Sequence, residues 1–283
     1  MPEAVRLFAL QIVLIAVVLV LHTYIGLHIV RRTLIFADLV LDQLAAFGAL
    51  VGVAIGVSYA SPTSYVLAFG AVLGGSFLLA VLKPKSHAIP REAVIGILYA
   101  MALVLSLLLT DKIENGQALV EKTLSGYLLW VSWPLVAVTG GIYVVLTVFH
   151  YALRHKFIAL AENPQKLKNE KLWDFLLFTT QGIVTVLIVP VAGVLLAYGF
   201  LMIPAAIATL FTRKWIPAVV LGWVVGFAAC VVGLISSYLG NFPYGPTLVL
   251  CLGAAFLGAL ALRSSMSHRI RQTCRTNQEE HRP

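Results

Sequence analysis

Apolar runs of about 17 to 25 residues, the length that carries a helix across a bilayer, recur from one end of this 283-residue chain to the other. Inside hydrocarbon each backbone N–H and C=O has to be satisfied within its own segment, so such runs form helices. The composition agrees, with 60% hydrophobic and 11% charged residues and a mean hydropathy of +0.94. That profile excludes a soluble globular domain. The formal charge of +8 does not indicate nucleic acid, because the bases sit in short loops between apolar runs and form no basic face.

The runs fall near residues 7–30, 40–60, 65–82, 93–110, 126–150, 175–192, 193–212, 215–237 and 247–262. The expected fold is all-α, a polytopic membrane bundle of about eight or nine spanning helices. The ambiguity lies at 175–212, where Pro190, Gly193, Gly199 and Pro204 allow either two crossings or a broken segment that re-enters. The first run is too long for a signal peptide and no cleavage site follows it, so it counts as a span. Cys230, Cys251 and Cys274 are too far apart to suggest a disulfide framework or a metal finger.

Lysine and arginine collect in alternate loops: Arg31 and Arg32; Lys83, Lys85 and Arg91; Arg154, Lys156, Lys166, Lys168 and Lys171; Arg213 and Lys214; and the tail from Arg263. The other loops carry little beyond Arg6, Lys112 and Lys122. By the positive-inside rule the amino terminus lies outside and the carboxyl terminus in the cytoplasm. Residues 1–265 then form one transmembrane domain, followed by a basic cytoplasmic tail at 266–283. The longest basic loop, about 151–174, holds an amphipathic stretch in which Phe157, Leu160 and Ala161 share a face, with Asn163 and Pro164 as its stop. It reads either as an anchor on anionic lipid or as a docking helix whose apolar side enters a partner's groove.

Ionisable side chains within a span are functional candidates, since their burial has to be offset by a partner or by water. Asp38 and Asp42, four residues apart in FADLVLDQLAAFG, share one helix face. Two adjacent carboxylates keep both charges only if a cation or a proton joins them. That suggests a cation path, the alternative being that Asp38 caps its helix or pairs with Arg31 and Arg32. His22 and His28 are six apart and face different ways, so neither chelates with the other, although His22 is a candidate to join the carboxylates from a neighbouring helix. Gln43 and Gln181 read as packing residues that satisfy each other or a backbone carbonyl. GxxxxGK[ST], HExxH and GxSxG are absent, so the chain is read as no enzyme.

Five segments taken in order resemble the ABC-3 type permeases of bacterial zinc, manganese and iron uptake systems. They are RRTLIFADLVLDQLAAFG; REAVIGILYAMALVLSLLL with Glu92 and Gly96; LSGYLLWVSWPLV with Gly126, Leu128, Leu129, Val131 and Ser132; VAGVLLAYGFLMIPAAIATLF with Gly193, Leu195, Leu196 and Ile203 to Ala206; and SSYLGNFPYGPTLVL with Pro243, Gly245 and Pro246. Asp38 matches the family's Asp, whereas Asp42 stands where the family has His, a change that hardens the site.

The resemblance implies the permease of an ABC importer in the bacterial inner membrane, carrying Zn, Mn or Fe by alternating access. ATP would be hydrolysed on a separate cytoplasmic subunit and an extracytoplasmic binding protein would deliver the metal. A permease homodimer is implied, with no permanently bound cofactor and the metal as cargo. The metal path would run through Asp38, Asp42 and His22. The loop containing Phe157, Ile158, Leu160, Ala161, Glu162, Asn163 and Pro164 would couple to the ATPase, and Gly193 and Pro204 would hinge a broken helix. The alternatives are a metal-chelate permease and an ion-driven secondary transporter that needs no ATPase.

Overall fold

A computed structural model of the chain describes residues 3–84, 89–126 and 131–280. Lys85, Leu128, Leu129 and the last residues of the tail, 281–283, lie outside the described residues. Ten α-helices follow in order: α1 Glu3–Arg31, α2 Ile35–Ala54, α3 Pro62–Val81, α4 Arg91–Thr110, α5 Gly116–Ser125, α6 Trp133–Ala152, α7 Arg154–Glu162, α8 Glu170–Phe211, α9 Trp215–Gly240 and α10 Tyr244–Glu280. Eight of them, all except α5 and α7, are long and apolar enough to cross a membrane.

Local chemistry sets several boundaries. Ser61 caps α3 by accepting a hydrogen bond from the Ser64 N–H, and Pro62 occupies the first turn, where its missing donor costs nothing. The start of α2 is capped from another helix, since the Phe36 N–H donates to Oε1 of Glu92 in α4 at 2.8 Å. At the far end of the chain, the helix carrying the apolar span Tyr244–Met266 continues without a break to Glu280.

The 42 residues of α8 would extend about 63 Å if straight, twice the hydrocarbon thickness. They do not run straight. Gly193 has φ 77° and ψ 163°, outside any helical region, whereas the chain stays helical through Pro204. Both ends of α8 return to the same place: Asp174 pairs with Arg32, and the carbonyl of Arg213, just beyond Phe211, accepts from Arg31. The element is therefore two antiparallel arms joined at Gly193. Of the positions in 175–212 that allow a break, Gly193 alone departs from helical geometry, and arms of 23 and 18 residues have the length that the two-crossing reading needs.

The arms of α8 form the centre of the bundle. Gly26 of α1 lets the second arm approach so closely that a side chain there would meet the Leu201 carbonyl and stand 2.9 Å from Ala205 Cβ. Such small-residue contacts are how helices associate in lipid, where no hydrophobic drive is left between them. The backbone at Gly193 belongs to a region that is essentially glycine-only, where another residue is destabilised by about 1–3 kcal/mol. Gly193→Ala is accordingly expected to melt several degrees below the wild-type chain in detergent, as read by tryptophan fluorescence. An unchanged melting temperature would mean that the turn relaxes elsewhere.

Candidate cation site between helices α2 and α8

Asp38 and Asp42 sit in the first two turns of α2, 1% and 0% exposed, on the face turned to the first arm of α8. That arm presents Gln181 and Thr185, also four residues apart and also buried. The match in spacing makes two rungs: Gln181 Nε2 donates to Asp38 Oδ1 at 2.7 Å and Thr185 Oγ1 donates to Asp42 Oδ1 at 3.0 Å. The rungs also show that α2 and this arm run parallel.

Neither rung supplies a countercharge. Among the described residues no ion pair involves Asp38 or Asp42, and Oδ2 of each is buried without a hydrogen-bond partner. A carboxylate only accepts, so Gln181 has to turn its amide nitrogen to Asp38, and its Oε1 is left buried and unpaired as well. Three unsatisfied oxygens thus collect around two rungs of one helix pair. Leaving buried acceptors unmatched is costly. A dication, or protons, would satisfy them, and the all-oxygen donor set suits a hard ion. Among the described residues no three His, Cys, Asp or Glu side chains form a metal-holding group, so the cluster consists of two carboxylates and amide oxygen.

Arg31 and Arg32 do not neutralise Asp38. Arg32 pairs with Asp174 at 2.5 Å, and Arg31 turns to the Arg213 carbonyl at 2.8 Å and lies over the Trp215 ring, 3.9 Å from its centroid. His22 is engaged elsewhere too: its Nδ1 lies 3.0 Å from the Val18 carbonyl and 3.2 Å from the Tyr143 hydroxyl, joining α1 to α6. Gln181 and Gln43 do not satisfy each other as packing residues, because the Gln181 amide is committed to Asp38.

At the basic end of the bundle, Asp174 is fully buried among three cations, Arg32, Lys83 and Arg91, drawn from three separate segments. Lys83 also reaches Glu170 at 2.6 Å. Sequence reasoning missed this cluster, placing Asp174 in a loop and treating the bases only as markers of orientation. It also missed Thr185, although the spacing of Gln181 and Thr185 repeats that of Asp38 and Asp42.

The loop helix α7 overturns one expectation. Its apolar side faces its own chain: Phe157 and Leu160 are fully buried with Leu177 of α8, and the Phe157 ring stacks on His150 at 4.2 Å. The outward side is polar, carrying His155, Lys156, Glu162 and Asn163, with Ile158, Ala161 and Pro164 half-buried. Burying Phe157 and Leu160 against the apolar seat offered by the ends of α6 and α8 removes their surface from water. Glu162 fastens the end of α7, accepting from Trp215 Nε1 at 2.8 Å and standing 3.7 Å from Arg31.

With this geometry in place, residues 5–263 match the model of the ABC 3 transport family (ABC-3). The chain belongs to the ABC 3 transport family. Curated relatives of this ABC 3 chain include a "Probable metal transport system membrane protein" of Chlamydia muridarum, 23% identical over 60% of this chain and 59% of its own length. A membrane protein of Synechocystis is 25% identical over 59% of this chain and 61% of its own. The matched region therefore spans about three-fifths of each relative. Among solved structures, PsaBC from Streptococcus pneumoniae in complex with Fab superposes with a TM-score of 0.73 at 20% identity, covering 88% of this chain and 89% of that one. An inward-facing conformation assigned to the metal-chelate type of ABC transporter gives 0.68 at 17% identity, covering 92% and 89%. At these identities the likeness concerns the fold: the ABC 3 chain has an ABC permease architecture.

Proposed function

We propose that this chain is the permease subunit of an ABC importer for a divalent transition metal, with the Asp38 and Asp42 carboxylates as its cation-binding step. The observation that carries the reading is the pair of buried carboxylates with no countercharge, joined by two neutral side chains of the central helix. Family membership and relatives named as metal transport proteins support it. Oxygen ligands without imidazole favour Mn or Fe over Zn, because softer nitrogen donors suit Zn.

In this reading the basic end faces the cytoplasm of a bacterial inner membrane, with the amino terminus outside. A cytoplasmic ATP-binding subunit would dock on the polar outer side of α7, and an extracytoplasmic protein would deliver the metal to the opposite end of a permease homodimer. Closure of the ATPases moves α7; Glu162 and Arg31 link α7 to the α1–α2 corner, four residues from the start of the helix that carries Asp38. Alternating access then exposes the two carboxylates to each side in turn. A metal-chelate cargo is the second reading, favoured by the likeness to a transporter of that type.

The test is uptake into proteoliposomes holding this chain, its ATP-binding subunit and its binding protein. ATP-dependent entry of Mn or Fe ahead of Zn is the expected result. Entry of an intact chelate alone would favour the second reading, and uptake without the ATP-binding subunit would sink both.

A further inference from the structure

A second cavity lies away from the carboxylates, between α1, α6 and α9, with a volume of about 430 Å3. Its walls are largely apolar, and those contributed by Val20 and Val220 are 39% and 54% exposed, so the cavity opens on the outer surface of the chain and not into the bundle. Its size is that of small-ligand sites generally. The basic end of the cavity is closed by Arg154 and Tyr151, with Trp215 beside them.

One charged group at that end lacks a countercharge. Arg154 donates to the Tyr151 carbonyl at 3.1 Å and lies over the Tyr151 ring, yet among the described residues no carboxylate pairs with it. Lys156, exposed in the same first turn of α7, adds further positive charge.

We infer that this cavity holds an anionic phospholipid, its acyl chain between Val20 and Val220 and its phosphate at Arg154. An acyl chain matches apolar walls at the outer surface, and the unpaired guanidinium is a phosphate ligand at the depth where headgroups lie. A zwitterionic lipid brings a choline cation toward Arg154 and Lys156, whereas an anionic one does not. Because Arg154 belongs to α7 and His150 stacks on Phe157, the headgroup would brace the seat of that helix. The inference does not depend on the transport reading.

The test is native mass spectrometry of the full chain purified in detergent and offered equal amounts of phosphatidylglycerol and phosphatidylcholine. The wild type is expected to retain one phosphatidylglycerol in preference by about fivefold, the contribution of one basic residue near an anionic surface. Arg154→Gln should abolish the preference. Val220→Trp, a change at a lipid-facing position that fills the cavity, should remove the retained lipid of either kind. Equal retention of both lipids by the wild type would overturn the inference, as would a preference that survives both substitutions. A disulfide forming between copies across Val220→Cys would also overturn it, since the cavity would then be covered by a second chain.

Discussion

Asp42→Asn is expected to lower metal uptake at limiting metal by at least about a hundredfold while leaving the amount of folded protein unchanged. The asparagine keeps an oxygen to accept from Thr185, so the rung between α2 and α8 survives. What disappears is one of two negative charges held side by side with no countercharge, and with it much of the attraction for a dication. Removing one of two like charges also relieves repulsion, so folding should not suffer. Asp38→Asn should behave the same way, with Gln181 still donating to the remaining oxygen. The checking measurement is initial uptake in reconstituted vesicles alongside the yield of monodisperse protein. Full uptake by both variants would place the metal route elsewhere, whereas loss of folded protein would make the carboxylates structural.

The largest stability effect is expected at Asp174. Its fully buried carboxylate is shared by Arg32, Lys83 and Arg91, whose side chains are 6%, 20% and 19% exposed. Asp174→Ala leaves these cations close together with no anion between them, and breaking a buried pair from one side typically costs about 3–5 kcal/mol. That is a large share of the 5–15 kcal/mol or so by which domains are stable. The variant should therefore accumulate poorly in membranes and melt well below the wild type in detergent. A wild-type melting temperature would mean that Glu170, which already reaches Lys83, takes over the cluster.

The fold was legible because the bilayer sets the length of each element, and a run such as Trp215–Gly240 has no other use for its apolar residues. The break at 175–212 was harder: Gly193 and Pro204 both permit one, and only the backbone angles of Gly193, with the chain helical through Pro204, decide between them. Asp38 and Asp42 stood out because charge is rare within a span. Their partners did not, since helical spacing tells which residues share a face but not which helix lies opposite, and Gln181 and Thr185 are each 143 residues away. The inward turn of Phe157 and Leu160 was hidden for a related reason. An amphipathic pattern fixes which side of α7 is buried without saying whether the chain itself or a partner covers it.

The proposed role of Asp38 and Asp42 as ligands of the transported ion is tested most directly by seeing that ion. A structure of the assembled transporter with Mn2+, with anomalous scattering recorded to mark the metal, is predicted to show a single strong peak within coordination distance of Asp38 Oδ2 and Asp42 Oδ2, lost in the Asp42→Asn protein. A peak elsewhere in the membrane span, with these two carboxylates still bound only to Gln181 and Thr185, would contradict it.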